Sequence, residues 1–265
     1  MPRIAVAPLI RVTRDGSRTD QDLVAVEAPL SIEVTHAGGV TPIGLFLRTP
    51  GDDEALAVGL LFAEGVIRRA ADISGTTCTP ETADAGATLR VALAPDVPFD
   101  AAALARSGVA STACGLCGRL SASRADVGRR SGETLAAPAP DVVFALPSRL
   151  RDAQAAFAKT GGIHAAAFAD HDGHIVDIAE DVGRHNAVDK LIGRALLAGH
   201  HPPAGTHLLI VSGRVAFEIV QKAAMAGVST LIAVGAPTSL AIQAARESGI
   251  TLIGFVKDGS YNVYG

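Results

Sequence analysis

Apolar and polar residues follow different patterns in the two halves of the chain. In residues 1–105, short stretches alternate between apolar and polar positions, which is typical of strands. One stretch has Leu56, Leu60 and Leu61 at helical spacing, opened by an acidic pair and closed by a Glu-Gly pair. The predicted elements are strands at Ile4–Val12, Leu30–Thr35, Ile43–Arg48 and Thr88–Leu93, and a helix from Asp52-Asp53 to Glu64-Gly65.

The second half consists of apolar runs separated by amphipathic stretches. Its predicted strands are Ile163–Ala169, Ile175–Ile178, His207–Val211, Ser229–Val234 and Ile250–Val256. Its predicted helices are Pro147–Lys159, Arg184–Ala198, Ala216–Ala226 and Thr238–Glu247. Three apolar strands separated by helices predict βαβαβ units and a largely parallel sheet that is covered on both faces.

This change of pattern predicts an α/β protein with two folded units. Residues 1–107 form a smaller α+β N-terminal domain, and residues 147–265 form a three-layer α/β domain with a mostly parallel sheet. Between them, residues 108–146 contain a cysteine pair and a stretch rich in Pro and Ala, which indicates a loop followed by a linker.

Composition narrows the class of protein. With 265 residues, 48% of them hydrophobic and 19% charged, the chain can bury a large core. A net charge of −4 argues against a nucleic-acid partner. No apolar run approaches the roughly 18 residues of a membrane span, and the N-terminus lacks the features of a signal peptide. We therefore expect a cytoplasmic protein whose thiols stay reduced.

Cys114 and Cys117 lie two residues apart in the stretch STACGLCGR, residues 111–119. A structural zinc site wants four ligands, but there is no second pair and Cys78 is isolated. A zinc deaminase has an H-x-E element before P-C-x-x-C. Here Ala113 precedes the first cysteine, and His164 follows the pair without a glutamate two residues later. The pattern therefore argues against both kinds of zinc site.

Two thiol chemistries suit the pair better. A dithiol oxidoreductase places its cysteines at the start of a helix after a strand, whereas the flanking Gly108 and Gly118 indicate a loop. A thiolate on a glycine-hinged loop can accept a sulfur atom and deliver it, and the nearby Arg119 would favour the thiolate. The sequence favours such a sulfur-carrying pair over redox turnover.

Small and polar residues follow three of the predicted strands. In open α/β sheets, ligands bind outside the carboxyl ends of the strands, and helix N-termini at such ends suit phosphate. Thr238 and Ser239 could equally be helix caps. Taken together, the three loops favour an anionic ligand. They are Ser212-Gly213-Arg214, Gly235–Ser239 and Lys257–Ser260.

The stretch EDVGRHNAVDK, residues 180–190, has seven hydrogen-bonding side chains where a strand leads into a helix. His185 and Asp189 are four residues apart and so share a helix face. Such density favours binding over simple helix capping. For His164, which precedes three alanines, a satisfied core position is the simpler interpretation.

These motifs together resemble the FdhD family of formate dehydrogenase accessory sulfurtransferases, nearly from end to end. The matching motifs are Glu27-x-Pro29, Glu64-Gly65, Cys114-Gly-Leu-Cys117-Gly118, Gly161-Gly162-x-His164-Ala165-Ala166, the run from Glu180 to Lys190, Ser212-Gly-Arg214, Ala236-Pro-Thr238 with Leu240-Ala241, and Gly254-Phe255 through Tyr264. The resemblance implies a cytidine-deaminase-like fold for the C-terminal domain, without the deaminase zinc site, and it implies a homodimer.

The resemblance also implies a function. Such proteins take persulfide sulfur from a cysteine desulfurase and pass it to a bis-molybdopterin guanine dinucleotide cofactor, containing molybdenum or tungsten, that the formate dehydrogenase catalytic subunit requires. Cys114 matches the persulfide residue and Cys117 its partner, and no metal site is implied. Ser260 stands where relatives can have a basic residue, which shifts weight to Lys257. The implied cofactor-binding residues are Phe255, Val256, Lys257, Asp258, Gly259 and Ser260, to which the strand-end pattern adds Arg184, His185 and Arg214.

Other functions use the same residues. A non-catalytic chaperone that holds the cofactor for formate dehydrogenase needs the strand-end loops but neither cysteine. A zinc-stabilised nucleotide-binding module would contain stoichiometric zinc. A dithiol oxidoreductase would show disulfide-reductase turnover.

Overall fold

The computed structural model describes residues 2–80, 86–101, 138–200 and 208–264. In the first half, all five predicted elements are present, together with two unpredicted strands, β2 and β5. The elements are β1 (Ile4–Thr13), β2 (Gly16–Ala25), β3 (Ala28–His36), β4 (Gly39–Arg48), α1 (Asp53–Ala63), a 3-10 turn (Ala70–Asp72), β5 (Ile73–Thr79) and β6 (Ala87–Leu93).

In the second half, the predicted strands and three of the four predicted helices lie at or close to their predicted positions. The elements are α2 (Pro140–Ala153), α3 (Phe157–Thr160), β7 (His164–Ala169), β8 (Ile175–Asp181), α4 (Arg184–Leu197), β9 (Leu208–Val211), α5 (Phe217–Met225), β10 (Thr230–Ala233), α6 (Ser239–Ser248), β11 (Thr251–Lys257) and β12 (Ser260–Tyr264).

The helix predicted over Pro147–Lys159 is wrong in its bounds. The chain forms α2 and then the single turn α3, and α2 begins at Pro140, inside the stretch predicted as a linker. A proline in the first helical turn is well tolerated because its missing N–H has no partner there anyway. Composition alone therefore placed the start of this helix too late.

Six strands form one mixed sheet in the order β12-β11-β10-β9-β7-β8. Only β9, β10 and β11 run parallel to one another, and the other neighbouring pairs are antiparallel. The prediction of a mostly parallel sheet is therefore wrong. Tight turns join β7 to β8 and β11 to β12, and a connection that short can join only antiparallel strands.

Helices cover both faces of this sheet, as predicted. Alternate residues of the central strands point to opposite faces: Leu208 and Ile210 lie in one core cluster with α2, and Leu209 and Val211 lie in another with α4, α5 and α6. The longest helices have 14 residues, and no helix in the described ranges is long and apolar enough to cross a membrane.

The second core cluster continues into the first half of the chain. There, four strands pair in the order β4-β3-β6-β5, and β3 buries alternate residues, including Leu30, Ile32 and Val34. These side chains share a core with α1 and α4. The first half of the chain therefore packs against α4, the helix that begins within the polar stretch of residues 180–190.

Two glycines allow α1 and α4 to approach closely. A Cβ atom built on Gly59 would lie 1.9 Å from the carbonyl oxygen of Asp189, and one built on Gly193 would lie 1.9 Å from that of Ala55. Both clashes are with backbone atoms, which a side-chain rotation cannot relieve. The two helices can pack at this distance only without side chains at the crossing.

Gly59→Ala is expected to lower the free energy of unfolding by about 1–3 kcal/mol, because the added methyl group forces the helices apart. Urea denaturation measures the change. Gly75→Ala is the matched control, since a Cβ atom there meets nothing within 4 Å. Equal stability of the two variants would contradict this account of the helix crossing.

Candidate functional site

The described residues include most of the predicted site residues but not the cysteine pair. Cys114 and Cys117 fall within residues 102–137, which lie outside the described ranges, as does most of the predicted segment 108–146. The strand-end loops and the polar stretch 180–190 lie within the described ranges and define the geometry of the site.

The loops after β9 and β10 and the end of β11 are joined by backbone hydrogen bonds. The N–H of Val215 donates to the oxygen of Ala236 at 3.1 Å, and the N–H of Thr238 donates to the oxygen of Val215 at 2.9 Å. The N–H of Phe255 donates to the oxygen of Gly235 at 3.0 Å. These bonds make the carboxyl ends of the three parallel strands one continuous rim.

Close backbone packing explains a glycine in this rim. A Cβ atom on Gly235 would lie 2.7 Å from the oxygen of Gly213. A side chain at this position would therefore keep the two loops apart.

Thr238 has a capping role at the start of α6, since its hydroxyl accepts a hydrogen bond from the N–H of Ala241 at 3.3 Å.

The segment Phe255–Ser260 lies at the end of β11. Phe255 has a φ of 55°, which strains a residue with a side chain, and the residue is 48% exposed. The Val256 side chain is buried in the core, so only its backbone can meet a ligand. Lys257 and Ser260 pair across the turn that leads into β12, and Gly259 in that turn has a φ of 75°.

Asp181 is the centre of a buried network. Its Oδ2 accepts hydrogen bonds from Lys190 Nζ at 2.7 Å and from the N–H of Thr49 at 3.1 Å. Its Oδ1 accepts from Asn186 Nδ2 at 2.9 Å and from the N–H of Gly183 at 2.8 Å. The Asp181 and Lys190 side chains are completely buried, so this network fixes the start of α4 against the first half of the chain.

Glu180 is also structural. Its carboxylate accepts hydrogen bonds from the N–H groups of Ala156 and Phe157, both at 2.9 Å. These groups lie at the start of α3, where backbone donors lack partners within the helix. Glu180 therefore caps α3 from a distant part of the chain.

A second buried ion pair joins α4 to α5. Lys222 Nζ donates to Asp189 Oδ1 at 2.6 Å, and both side chains are buried. Burial raises the pKa of Asp189 to about 6, and attraction by the lysine opposes that rise. The ammonium group of Lys222 is also close enough to His185 to lower the pKa of that imidazole.

Arg184, His185 and His164 lie together at the rim beside Gly213. A Cβ atom on Gly213 would lie 3.2 Å from His164 Nδ1 and 3.8 Å from Arg184 Cδ, so the glycine backbone lies beside both side chains. Arg184 Nε and His185 Nε2 are buried without hydrogen-bond partners among the described residues. Arg214, in the same loop as Gly213, is exposed.

Electrostatics leave the rim with two guanidinium groups and two neutral imidazoles. Burial, reinforced by the charges of Arg184 and Lys222, lowers the pKa of His185 to about 3. Burial and the charge of Arg184 lower the pKa of His164. The pKa of Arg184 is lowered by burial and by repulsion from Arg214, but an arginine stays charged at neutral pH. This is an environment suited to an anion.

Potential metal ligands gather at a different place. Within the described ranges, the one group that could hold a metal ion is Asp170, Asp172 and His174, in the turn between β7 and β8. Asp170 already accepts hydrogen bonds from the backbone of the other two residues and pairs with His174 Nδ1 at 3.1 Å. These bonds explain the cluster as a turn.

The chain is similar to known proteins over nearly its whole length. A family model described as the FdhD/NarQ family matches residues 25–265. The chain belongs to the FdhD/NarQ family. The protein named "Sulfur carrier protein FdhD" from Streptomyces avermitilis is 44% identical over 264 residues, 97% of this chain and 92% of the relative. Its namesake from Saccharolobus solfataricus is 36% identical over 267 residues, 99% and 96% of the two chains.

A solved structure shares the fold. It is described as a putative formate dehydrogenase accessory protein from Desulfotalea psychrophila, and it matches with a TM-score of 0.72 over 100% of this chain and 97% of that chain. At 22% identity, this likeness shows the fold alone. The family model and the curated relatives confirm the family resemblance that the motifs predict.

In this FdhD/NarQ chain, the structure adds rim residues that sequence reasoning missed. His164 was expected to be a core residue, yet it lies half-buried at the rim beside Arg184. Glu218 and Lys222, on α5, were not predicted at all. Their spacing of four residues on a helix start is common in solvated helices, so the sequence contained no signal that distinguished them.

Proposed function

We propose that this chain is a sulfur carrier that loads the bis-molybdopterin guanine dinucleotide cofactor, containing molybdenum or tungsten, before the cofactor enters formate dehydrogenase. Cys114 accepts persulfide sulfur from a cysteine desulfurase, and Cys117 is its partner. The names of the curated relatives support the sulfur-carrier role, and the resemblance of the motifs to formate dehydrogenase accessory sulfurtransferases supports the link to formate dehydrogenase.

The first step is a thiol–persulfide exchange. The Cys114 thiolate attacks the outer sulfur of the desulfurase persulfide, a new S–S bond forms on Cys114, and the desulfurase cysteine leaves as a thiolate. No external oxidant or reductant is needed, because one S–S bond replaces another. In the second step the Cys117 thiolate attacks Cys114 Sγ, so that a Cys114–Cys117 disulfide forms and the outer sulfur leaves as sulfide for the cofactor, which is the substrate. The cysteine pair supplies the two electrons, and a cellular dithiol reductant restores it for the next cycle.

The arrangement at the rim is the observation that supports a cofactor site. Arg184 and His185 have buried nitrogen atoms without partners among the described residues, beside two helix starts, those of α4 and α5, that have no side-chain cap. Unpartnered helix N–H groups and guanidinium groups are the donors that bind phosphate. A guanine dinucleotide supplies phosphate groups to match them.

The separation of the two parts of the rim suits an extended ligand. Arg214 follows β9, and Phe255–Ser260 lies at the end of β11, two strands away, which corresponds to about 10 Å at ordinary strand spacing. We infer that the arginines hold phosphate while the segment at the end of β11 contacts another part of the same nucleotide. The proposal also includes a homodimer and a cytidine-deaminase-like fold for the C-terminal domain.

Binding of GDP, followed by isothermal titration calorimetry, tests the cofactor site. Arg184→Gln and Arg214→Gln are each expected to weaken binding about tenfold or more, since each removes a charge-assisted contact of about 1.5–3 kcal/mol. Arg246→Gln, on an exposed position near the end of α6, is the control with the same charge change. Affinity that is unchanged in both rim variants would show that nucleotide phosphate does not bind here.

A further inference from the structure

Glu218 is an acidic side chain in an otherwise cationic and neutral part of the rim. It lies in the first turn of α5, and its side chain is 26% exposed. Its Oε2 lies 3.9 Å from His185 Nε2, and no hydrogen bond reaches its carboxylate from the residues that the structure describes. The carboxylate is therefore close to the proposed phosphate site without being held in the protein framework.

Arg184 and Glu218 attract each other electrostatically, although no ion pair joins their side chains. His185 is neutral at physiological pH because its pKa is about 3, so the 3.9 Å contact is not an ion pair. Arg184 is repelled by Arg214 and attracted by Glu218. The carboxylate is thus attracted by a guanidinium group whose Nε has no partner among the described residues, without bonding to it.

The helix start gives the carboxylate a second attraction. The N-terminus of α5 has no side-chain cap at Ala216, so its backbone N–H groups and partial positive charge favour a nearby anion. Arg184 and this helix start are the same two groups that a phosphate at the rim would use. A carboxylate and a phosphate that share them would repel each other.

We propose that the Glu218 carboxylate lies close enough to the rim to repel the phosphate of the ligand, and that it thereby sets an upper limit on the affinity for the nucleotide. This inference rests on the proposed cofactor site and adds a residue to it. A protein that passes its cofactor on must release it, and a carboxylate that repels the bound phosphate favours release. Removing the carboxylate should therefore tighten binding, the opposite of what removing a ligand contact does.

Calorimetric titration of the full-length chain with GDP tests this inference. Glu218→Gln is expected to bind GDP about fivefold more tightly at low ionic strength, with a smaller gain at high salt because of screening. Glu247→Gln, which removes an exposed carboxylate that pairs with Gln243 in the last turn of α6, is the matched control and should bind as the wild type does. Glu218→Asp keeps the charge and is also expected to resemble the wild type.

Each other outcome overturns the inference. Equal affinity of the wild type and Glu218→Gln would show that the carboxylate does not compete with phosphate. Weaker binding by Glu218→Gln would show that the carboxylate contacts the ligand, for example the N–H groups of guanine. If the wild type, Glu218→Gln and Glu218→Asp all fail to bind GDP while remaining folded in thermal unfolding, then the inference and the proposed cofactor site are both wrong.

Discussion

Replacing Cys114 with alanine is expected to leave the chain unable to restore formate dehydrogenase activity in a bacterial cell that lacks its own FdhD protein. The proposed transfer requires a thiolate that can form and break an S–S bond, and alanine offers no atom for this reaction. The measurement is formate-dependent dye reduction in extracts of the complemented strain. The expected loss is complete and not partial.

Cys78→Ala is the matched control for this experiment. Cys78 is an exposed free thiol in β5, and the proposed mechanism gives it no role, so this variant should restore activity fully. If Cys114→Ala restores activity as well, the sulfur-carrier mechanism is wrong. The non-catalytic chaperone would then be favoured, because it holds the cofactor without using either cysteine.

Asp181→Ala is expected to lower the free energy of unfolding by about 3–5 kcal/mol. This is a larger loss than the one expected for Gly59→Ala. The change leaves the Lys190 ammonium group completely buried, with the carbonyl of Thr49, at 2.7 Å, as its remaining hydrogen-bond partner among the described residues. It also leaves the N–H of Thr49 and the amide of Asn186 without their bonds to this carboxylate. Urea denaturation followed by circular dichroism measures the difference.

A surface ion pair provides the comparison. Glu33 pairs with Arg90 at 2.7 Å, and both side chains are partly exposed, so Glu33→Gln should change the free energy of unfolding by less than about 1 kcal/mol. A similarly small effect of Asp181→Ala would contradict the interpretation of the buried network as the attachment of α4 to the first half. In that case, the residues of the polar stretch would contribute little to stability, and a role mainly in binding would be favoured.

The sequence predicted those elements whose signal is local. Alternating apolar residues in β3 and the amphipathic pattern of α4 fixed their positions to within a few residues, because burial of one face follows directly from the spacing. The carboxyl ends of β9, β10 and β11 could also be placed on one edge, since strands joined through helices run parallel.

Features that depend on distant contacts could not be predicted. The hairpin of β1 and β2 exposes most of its residues, so β2 has no alternating pattern. Nothing in the sequence pairs Asp181 with Thr49, which lies 132 positions away. The density of polar residues in 180–190 favours binding, but in the structure most of them are buried in the framework, and only Arg184 and His185 lie at the rim.

The buried residues of the polar stretch hold the two rim residues in position. Asp181 and Lys190 anchor α4, and the Asp189–Lys222 pair joins α4 to α5. Held in this way, the first turn of α4 presents Arg184 and His185 beside Gly213. If the proposed ligand binds here, this rigid support by buried ion pairs reduces the side-chain entropy lost on binding.

Mass spectrometry of the peptide that contains Cys114 tests the central claim most directly. The purified chain is incubated with a cysteine desulfurase and cysteine, alkylated, digested and compared with the same chain after reduction. The proposed function predicts that Cys114 gains the mass of one sulfur atom and loses it on reduction, while Cys78 is unchanged. A desulfurase that carries its own persulfide but leaves Cys114 without added sulfur would contradict the claim that this chain is a sulfur carrier.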